Sequence, residues 1–266
     1  MKIRDIIATL EDFAPLALQD GFDNAGLQIG LPDDADATGV LLSLDVTEPV
    51  LDEAISHGCN MVVSHHPLLF HPVKSISGKD YVERCIIKAI QNGITLYAAH
   101  TNLDNAPQGV NHRIAAMLQL GNIQWLAPKE GVDAGAGLVG NLPQPMPKAE
   151  FMEKVKTTFH VDCVRYNDWI GQTVSRVAVC GGAGAFLLPN AVAARADAFI
   201  TGEIGYHRFF GHEEELLMLE IGHFESEQYT LDILSEIIQQ AASHSDSTTS
   251  LPVIKTRLHT NPISYR

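Results

Sequence analysis

Short apolar runs rich in β-branched residues recur along the first hundred residues. Their length and composition predict buried strands, at 40–44, 61–64 and 94–99. Between these runs, the capping residues at 45–49 predict a helix to about His57, and apolar residues at helical spacing predict another at 81–92. An opening helix is predicted within 3–18. Strands and helices therefore alternate, as they do in parallel α/β architecture.

The same alternation returns in the second half of the chain. A strand at 177–180 precedes a helix at about 187–195 and a strand at 198–200. The spacing from the middle of one strand to the end of the next is 22 residues in the first half and 23 in the second, as a duplicated unit would leave. We therefore predict an α/β fold of two similar halves, 1–125 and 126–266, with mostly parallel strands.

The stretch at about 125–173 is less regular, because glycines and prolines punctuate it. We expect it to be a structured connection that belongs to the second half, with a helix at 148–158 and a strand at 161–166. After it, 243–250 is predicted to be a polar loop, and 253–258 a last strand.

Composition narrows the classes of function. The 266 residues are 45% hydrophobic, which is enough for a large core. The net charge of −14 argues against wide contact with a nucleic-acid backbone, since such binding needs clustered Lys and Arg. Four cysteines without paired spacing indicate neither a disulfide framework nor a zinc knuckle. With no apolar run long enough for a signal peptide or membrane span, we expect a soluble, cytoplasmic protein.

Candidate chemistry lies where the predicted strands end. His65 and His66 follow the strand at 61–64, and Pro67 turns the chain there, so that two adjacent rings can serve neighbouring ions. Imidazoles and carboxylates at strand carboxyl ends are the usual materials of a two-metal site. Two further pairs with four-residue spacing begin where other apolar runs stop: His100 with Asp104, and His223 with Glu227.

The internal repeat aligns these positions. It sets Ser64-His65-His66 opposite Thr201-Gly202-Glu203, and the pair His100 and Asp104 opposite His223 and Glu227. The repeat thereby places Glu203 and His207 near the proposed cleft, but it assigns them no role in metal binding or catalysis. The other histidines are expected to be ordinary solvated or hydrogen-bonded side chains: His57, His71, His112, His160, His212, His244 and His259.

Two motifs remain open to more than one interpretation. Gly181-Gly182-Ala183-Gly184 follows a strand but lacks the spaced glycines of a dinucleotide-binding loop, so it indicates either close backbone packing or a phosphate cradle. The segment from Asn24 to Gln28 is either a polar binding loop or a tight turn after the first helix.

Taken together and in order, the motifs resemble the family of GTP cyclohydrolase I type 2 homologues, the NGG-interacting-factor-like dinuclear metal proteins. The resemblance covers essentially the whole chain and is carried by Asp23–Gly30, Ser64–Pro67, His100–Asp104, Gly181–Gly184, Phe199–Glu203 and Gly222–Glu227. It implies that His65, His66, Asp104, His223 and Glu227 bind two divalent cations in a cleft between the halves, with Glu227 bridging them. It also implies a homohexameric ring, in a short form without the central insertion of longer members.

The leading hypothesis is a metal-dependent hydrolase that acts on a nucleotide or another small phosphorylated compound. His100 is the candidate proton carrier, since the family's metal pattern leaves its ring available. Mixed His and carboxylate ligands suit Zn, Fe, Mn, Co or Ni. The alternative is a non-enzymatic metal-binding or regulatory ring that docks protein partners. A ring threaded by nucleic acid is the weakest hypothesis, because the chain is acidic.

Overall fold

The computed structural model describes residues 1–32, 35–243 and 251–264. The chain divides into two compact units, one formed by Met1–Leu103 with Thr230–Arg266 and the other by Asp104–Tyr229. These bounds differ from the predicted halves, 1–125 and 126–266, because residues 104–125 group with the second unit and the last helix and strand return to the first. Most of the predicted polar loop at 243–250 lies outside the described residues.

The first unit is built on a five-stranded sheet. Its strands are β1 (Gly26–Ile29), β2 (Val40–Ser43), β3 (Met61–Ser64), β4 (Thr95–Ala98) and β11 (Val253–Lys255), in the order β1-β4-β3-β2-β11. β4, β3, β2 and β11 are parallel, whereas β1 is antiparallel to β4. Every residue of β2, β3 and β4 is buried, which explains their continuous apolar sequences, since a parallel sheet is covered on both faces.

Helices with clear sequence signals surround this sheet. They are α1 (Ile3–Phe13), α2 (Glu48–Ser56), α3 (Tyr81–Gln91) and α9 (Thr230–Ser243). Thr47 and Asp80 cap α2 and α3 by accepting backbone N–H groups of the first turn. Residues of α2 and α3 pack with Leu41, Val62 and Leu96 in one core cluster. α1 is shorter than the predicted 3–18, because Pro15 disfavours helical backbone at Ala14, and a 3-10 turn follows.

The second unit contains a six-stranded sheet. Its strands are β5 (Gly121–Pro128), β6 (Gly135–Pro147), β7 (Arg165–Tyr166), β8 (Thr173–Cys180), β9 (Ala198–Thr201) and β10 (Leu217–Glu220), in the order β5-β6-β8-β9-β10-β7. β8, β9 and β10 are parallel, and the other pairings are antiparallel. The helices of this unit are α5 (Val110–Met117), α6 (Lys148–Phe159), α7 (Leu188–Ala193) and α8 (His223–Glu227), while the short helix α4 (Thr101–Asp104) begins in the first unit and ends at the first residue of the second.

The irregular stretch of the sequence holds the longest strand, which the prediction of a mere connection missed. β6 carries Pro143, Pro145 and Pro147 at alternate positions, so the missing N–H groups all lie on one side of the strand. The pairing of β6 with β5 ends at Asn141, before these prolines. The strand predicted at 161–166 was too long, because only Arg165 and Tyr166 form β7.

Both units place three successive parallel strands in the same order, β2-β3-β4 and β8-β9-β10, and an antiparallel strand beside the third. The predicted α/β class and two-halves layout are therefore confirmed. No helix among the described residues is long and apolar enough to cross a membrane.

Candidate metal centre

His65 and His66 follow the carboxyl end of β3, and their backbone N–H groups still bond to the segment at the end of β2. The N–H of His65 donates to the Ser43 carbonyl (3.2 Å), and that of His66 donates to the Leu44 carbonyl (2.9 Å). Ser64 Oγ donates to the carbonyl of His66 at 2.8 Å. Because β3 lies between β2 and β4, this pair comes at the middle of the sheet's carboxyl edge.

The hydrogen bond of the buried His65 ring fixes its tautomer. Nδ1 lies 2.8 Å from the Ala99 carbonyl oxygen, which can only accept a hydrogen bond. Nδ1 therefore carries the proton, and Nε2 carries the lone pair through which a neutral imidazole binds a metal. The strand β4 supplies this partner, since Ala99 follows it directly and donates its own N–H to the Ser64 carbonyl at 2.9 Å.

His66 is oriented by a carboxylate that follows β2. Its Nδ1 lies 2.8 Å from Asp45 Oδ1, and the other oxygen of Asp45 accepts a hydrogen bond from Thr260 at 2.7 Å. Burial raises the pKa of Asp45, but the hydrogen bond and charge of His66 outweigh it, so the pKa lies below its usual value. Asp45 is therefore ionised at neutral pH and holds the His66 ring.

His100 has an equivalent partner in the loop before β1. Its Nδ1 lies 2.7 Å from Asp23 Oδ1, and the backbone N–H of Thr101 donates to Asp23 Oδ2 at 3.1 Å. Burial works against the charge of Asp23, yet the hydrogen bonds from His100 and Thr101 lower its pKa to about 2. Asp23 is therefore ionised at neutral pH, and its carboxylate holds the His100 ring.

The three rings of the first unit converge. One nitrogen each of His65, His66 and His100 can be chosen so that all lie within 4.8 Å of one another. The ring centroids are 5.0 to 5.5 Å apart. The structure thus groups His100, predicted as a proton carrier, with two predicted metal ligands.

In the second unit, His223 and Glu227 begin and end the single-turn helix α8. Gly222, with a φ of 97°, turns the chain into this helix after β10. His223 Nδ1 lies 2.7 Å from Glu203 Oε1, and its Nε2 lies 3.0 Å from Glu227 Oε2. Glu203 follows β9, where the repeat predicted it, and its task is to orient the ring of His223.

The glycine-rich loop after β8 makes room for the buried carboxylate of Glu227. A Cβ on Gly182, whose φ is +60°, would lie 2.2 Å from Glu227 Oε1. The Gly182 N–H donates to Ser226 Oγ at 2.9 Å, one residue before Glu227. Of the two interpretations of this motif, the structure supports close packing, because a side chain fills the space beside the glycine.

Asp104 ends the single-turn helix α4 and brings a carboxylate oxygen within 4.8 Å of one of Glu227. Buried Asn111 links Asp104 to the glycine-rich loop beside Glu227. Its Nδ2 donates to the Asp104 carbonyl, and its Oδ1 accepts the Gly181 N–H, both at 3.0 Å. Thus the second unit gathers the carboxylates of Asp104, Glu203 and Glu227 and the imidazole of His223 around α8.

The sequence did not identify the residues that hold the candidate ligands by hydrogen bonds, which are Asp23, Asp45, Asn111 and Glu203. The repeat placed Glu203 near the cleft but gave it no task. Asp45 and Glu203 follow strands, so the rule that selected His65 and His66 could have found them. Asp23 and Asn111 carried no such signal. His207 lies on a 3-10 turn beside the rings of Tyr206 and Phe210.

Comparison with known proteins identifies the family of this chain. The family model described as Duf34/NIF3 (NGG1p interacting factor 3) matches residues 1–262. The chain belongs to the Duf34/NIF3 family. A "GTP cyclohydrolase 1 type 2 homolog" of Clostridium acetobutylicum is 32% identical over all of this chain and 99% of the relative, and one of Clostridium perfringens is 37% identical over 90% and 92%.

Solved structures agree with this family membership. A Bacillus cereus protein related to NIF3 superposes with a TM-score of 0.90 at 25% identity, covering 100% of this chain and 99% of that one. Reduced HcgD from Methanocaldococcus jannaschii gives 0.80 at 27% identity, covering 97% and 98%. The resemblance inferred from the motifs is confirmed at the level of family and fold.

The donors fit divalent metals of the borderline class. Imidazole nitrogen and carboxylate oxygen are offered, and the described cysteines are not among the grouped donors. Each of the four histidines in these groups engages its Nδ1 with a carbonyl or carboxylate, the arrangement typical of metal-binding imidazoles. The buried His, Asp and Glu groups could therefore hold metal ions.

Proposed function

We propose that this protein is a metal-dependent hydrolase of nucleotides or similar small phosphorylated compounds. In this proposal His65, His66, Asp104, His223 and Glu227 would jointly hold two divalent cations, and Glu227 would be a ligand to both. When bound, such cations would lower the pKa of a shared water and polarise the bond that it attacks. The names of the Clostridium relatives are the reason to test guanine nucleotides first.

The observation that carries the proposal is the common hydrogen bonding of the candidate ligands. Nδ1 of His65, His66 and His223 is held by Ala99, Asp45 and Glu203 respectively. Rings held in this way present Nε2 in a fixed direction, which reduces the entropy lost when a metal binds.

His100 is proposed as the proton carrier. Asp23 fixes its orientation through Nδ1 and stabilises the imidazolium that forms when the ring accepts a proton at Nε2. His100 would take a proton from the attacking water and return it to the leaving group. The ionised state of Asp23, whose pKa is about 2, keeps this support in place across the neutral range.

The proposal is tested with purified, metal-replete protein. We expect metal analysis to find two divalent ions per chain, and turnover of at least one member of a nucleotide panel. In His65→Ala both the metal content and the turnover should fall to background. His57→Ala is the matched control, because His57 is exposed at the end of α2, and it should behave like the wild type.

Full metal content without turnover of any nucleotide or other small phosphorylated compound would refute the hydrolase and favour the alternative, a non-enzymatic metal-binding or regulatory ring that docks protein partners. A homohexamer is also part of the proposal, in line with the family resemblance. Sedimentation of the metal-replete protein measures the assembly directly, and a monomer under all conditions would contradict it.

A further inference from the structure

Two phenylalanines of the first unit expose their rings to solvent. Phe22 is 65% exposed and Phe70 is 39% exposed. Their ring centroids are 6.3 Å apart, and the planes meet at 65°, so the two rings form a corner with edge-to-face contact. Adjacent exposed aromatic rings leave apolar surface in water, which favours a role in binding.

This aromatic corner, Phe22 with Phe70, continues the row of histidine rings. The centroid of Phe70 is 6.1 Å from that of His100, whose ring in turn neighbours His65 and His66. His71 adds a further ring 5.0 Å from Phe70. All these rings belong to the first unit. A ligand with its reacting part at His100 would therefore have the aromatic corner beside it.

Hydrogen bonds hold the two loops of the corner together. Asn24 Nδ2 donates to the Leu69 carbonyl at 2.8 Å, and the Leu69 N–H donates to Gln28 Oε1 at 3.1 Å. Gln28 Nε2 donates to the Asn24 carbonyl at 2.7 Å. The segment from Asn24 to Gln28 therefore braces the corner, and Gly26–Gln28 form part of β1, so the segment is not a tight turn after the first helix. Pre-organised rings lose little entropy when a ligand binds.

We propose that the aromatic corner binds the planar base of a nucleotide, an inference that rests on the proposed function. A base can stack on the face of one phenylalanine while its edge contacts the other. Stacking suits these residues because it needs only a flat π-face, and the polar groups of Asn24 and Gln28 are engaged with the chain. Phe22 and Phe70 thus select nucleotides over sugar phosphates that lack a base.

Asp23 connects this recognition to the chemistry. It stands between Phe22 and Asn24 in sequence, and its carboxylate holds His100. One loop therefore carries both the stacking ring and the partner of the proposed proton carrier. Binding of a base at Phe22 and orientation of the His100 ring depend on the same short segment.

The test measures equilibrium binding to metal-replete full-length protein by calorimetry, with guanosine 5′-monophosphate and ribose 5-phosphate as probes. The wild type should bind the nucleotide at least about tenfold more tightly than the sugar phosphate. Phe22→Leu and Phe70→Leu keep apolar bulk but remove the ring, so each should weaken nucleotide binding roughly tenfold and leave ribose 5-phosphate unchanged. Phe70→Tyr keeps a ring and should retain wild-type affinity.

Tyr166→Leu is the matched control, because Tyr166 is 54% exposed on the edge strand β7 of the second unit. It should bind both probes like the wild type. Unchanged nucleotide affinity in both phenylalanine variants would overturn the inference. So would equal weakening for both probes, or a changed sedimentation coefficient without a changed affinity, which would instead assign the corner to contact between chains.

This binding test does not depend on turnover, so the two proposals fail separately. Ring-dependent nucleotide binding without metal-dependent turnover would remove the hydrolase and leave the stacking inference standing. Turnover of a nucleotide that does not respond to Phe22→Leu or Phe70→Leu would do the reverse.

Discussion

The two units share a strand plan but supply different donors. In the first unit His65, His66 and His100 follow the second and third of three parallel strands, and in the second unit Glu203 and His223 do the same. The first unit offers three imidazoles, whereas the second offers the carboxylates of Asp104 and Glu227 with the single imidazole of His223. The supporting groups also differ: Asp45 orients His66 in the first unit, and Glu203, which the repeat aligns with His66, orients His223 in the second.

This difference shows how a duplicated scaffold can divide the requirements of a site. Neutral imidazoles bind metals tightly but bring no charge, so three of them cannot offset two divalent cations. Carboxylates bring the charge, and burial of Glu227 makes its charge stable only near a compensating group. Under the proposed function, neither set of donors is sufficient without the other.

The largest effects are expected where the repeat aligns two histidines with different proposed tasks, His100 and His223. His100→Gln should keep the metal content and lower turnover about 10²- to 10⁴-fold, because a general acid–base group contributes that much. His223→Gln should lose metal as well. Metal analysis and steady-state kinetics on the two variants measure the contrast. Equal loss of metal would make His100 a ligand and remove the proposed distinction.

Supporting carboxylates should have the next largest effects, with a difference between the units. Asp45→Asn and Glu203→Gln should each weaken metal binding about 10- to 100-fold, as is typical for partners of metal-binding histidines. The effect of Asp45→Asn should be larger, because its side chain is 33% exposed and that of Glu203 56%.

Competition with a chromophoric chelator measures both metal affinities. Asp52→Asn is the control, since Asp52 forms an ion pair with Lys88 of α3 at the surface. Wild-type metal affinity in Asp45→Asn would show that the hydrogen bond to His66 has no role in binding.

Gly58 and Gly182 have similar positive φ angles, so replacing each with Ala distinguishes the effect of backbone strain from that of displacing Glu227. Gly58 has a φ of +67° with open space around its missing Cβ, so Gly58→Ala should lower the free energy of unfolding by about 1–2 kcal/mol. Gly182→Ala carries the same strain and also displaces Glu227. It should be the less stable variant in urea unfolding, and only Gly182→Ala should weaken metal binding. Equal behaviour of the two variants would contradict the account of the glycine-rich loop.

The smallest effects concern pH and two carboxylates, Glu83 in the first turn of α3 and Glu213 in the second unit. Backbone N–H groups of Lys79 and Ser77 lower the pKa of Glu83 to about 2, while its own and the Gly211 N–H lower that of Glu213. Because both pKa values fall below the usual 4.5, each charge stabilises the fold above that pH, and the benefit is lost as pH falls toward the folded value.

Thermal unfolding from pH 7 to pH 2 measures this dependence. Glu83→Gln should lower Tm at pH 7, and the deficit should shrink from about pH 5 to about pH 2. Glu213→Gln should give a smaller deficit that also shrinks as pH falls below the usual pKa, because fewer groups hold the Glu213 carboxylate. A deficit in Glu83→Gln that is constant with pH would show that charge is not the cause.

The sequence allowed accurate prediction where local pattern and burial agree. Met61–Ser64 was predicted with its observed bounds, and the helix at 81–92 differs from α3 by one residue. These elements are buried on the sheet or have clear caps. β5 and β6 were missed because glycine and proline are rare in strands. Pairing with neighbouring strands keeps this stretch extended, and the local sequence does not reveal that pairing. The return of β11 to pair with β2 depends on a long-range contact that no local pattern encodes.

The candidate site was predictable in part for the same reason. His65, His66 and His100 follow strands, and the structure brings their rings together. Their partners depend on tertiary packing: Asp23 reaches His100 from a loop 77 residues earlier, and Asp45 is 21 residues from His66. Periodicity carries no information on such contacts, so orientation of the rings became visible only with the fold.

The most direct test of the central claim is anomalous scattering from crystals grown with the bound metal. We expect two peaks in the anomalous difference map, with Nε2 of His65 and His66 and the carboxylates of Asp104 and Glu227 among their ligands. Peaks that contact ligands of one unit alone, or the absence of any peak at these side chains, would contradict the claim.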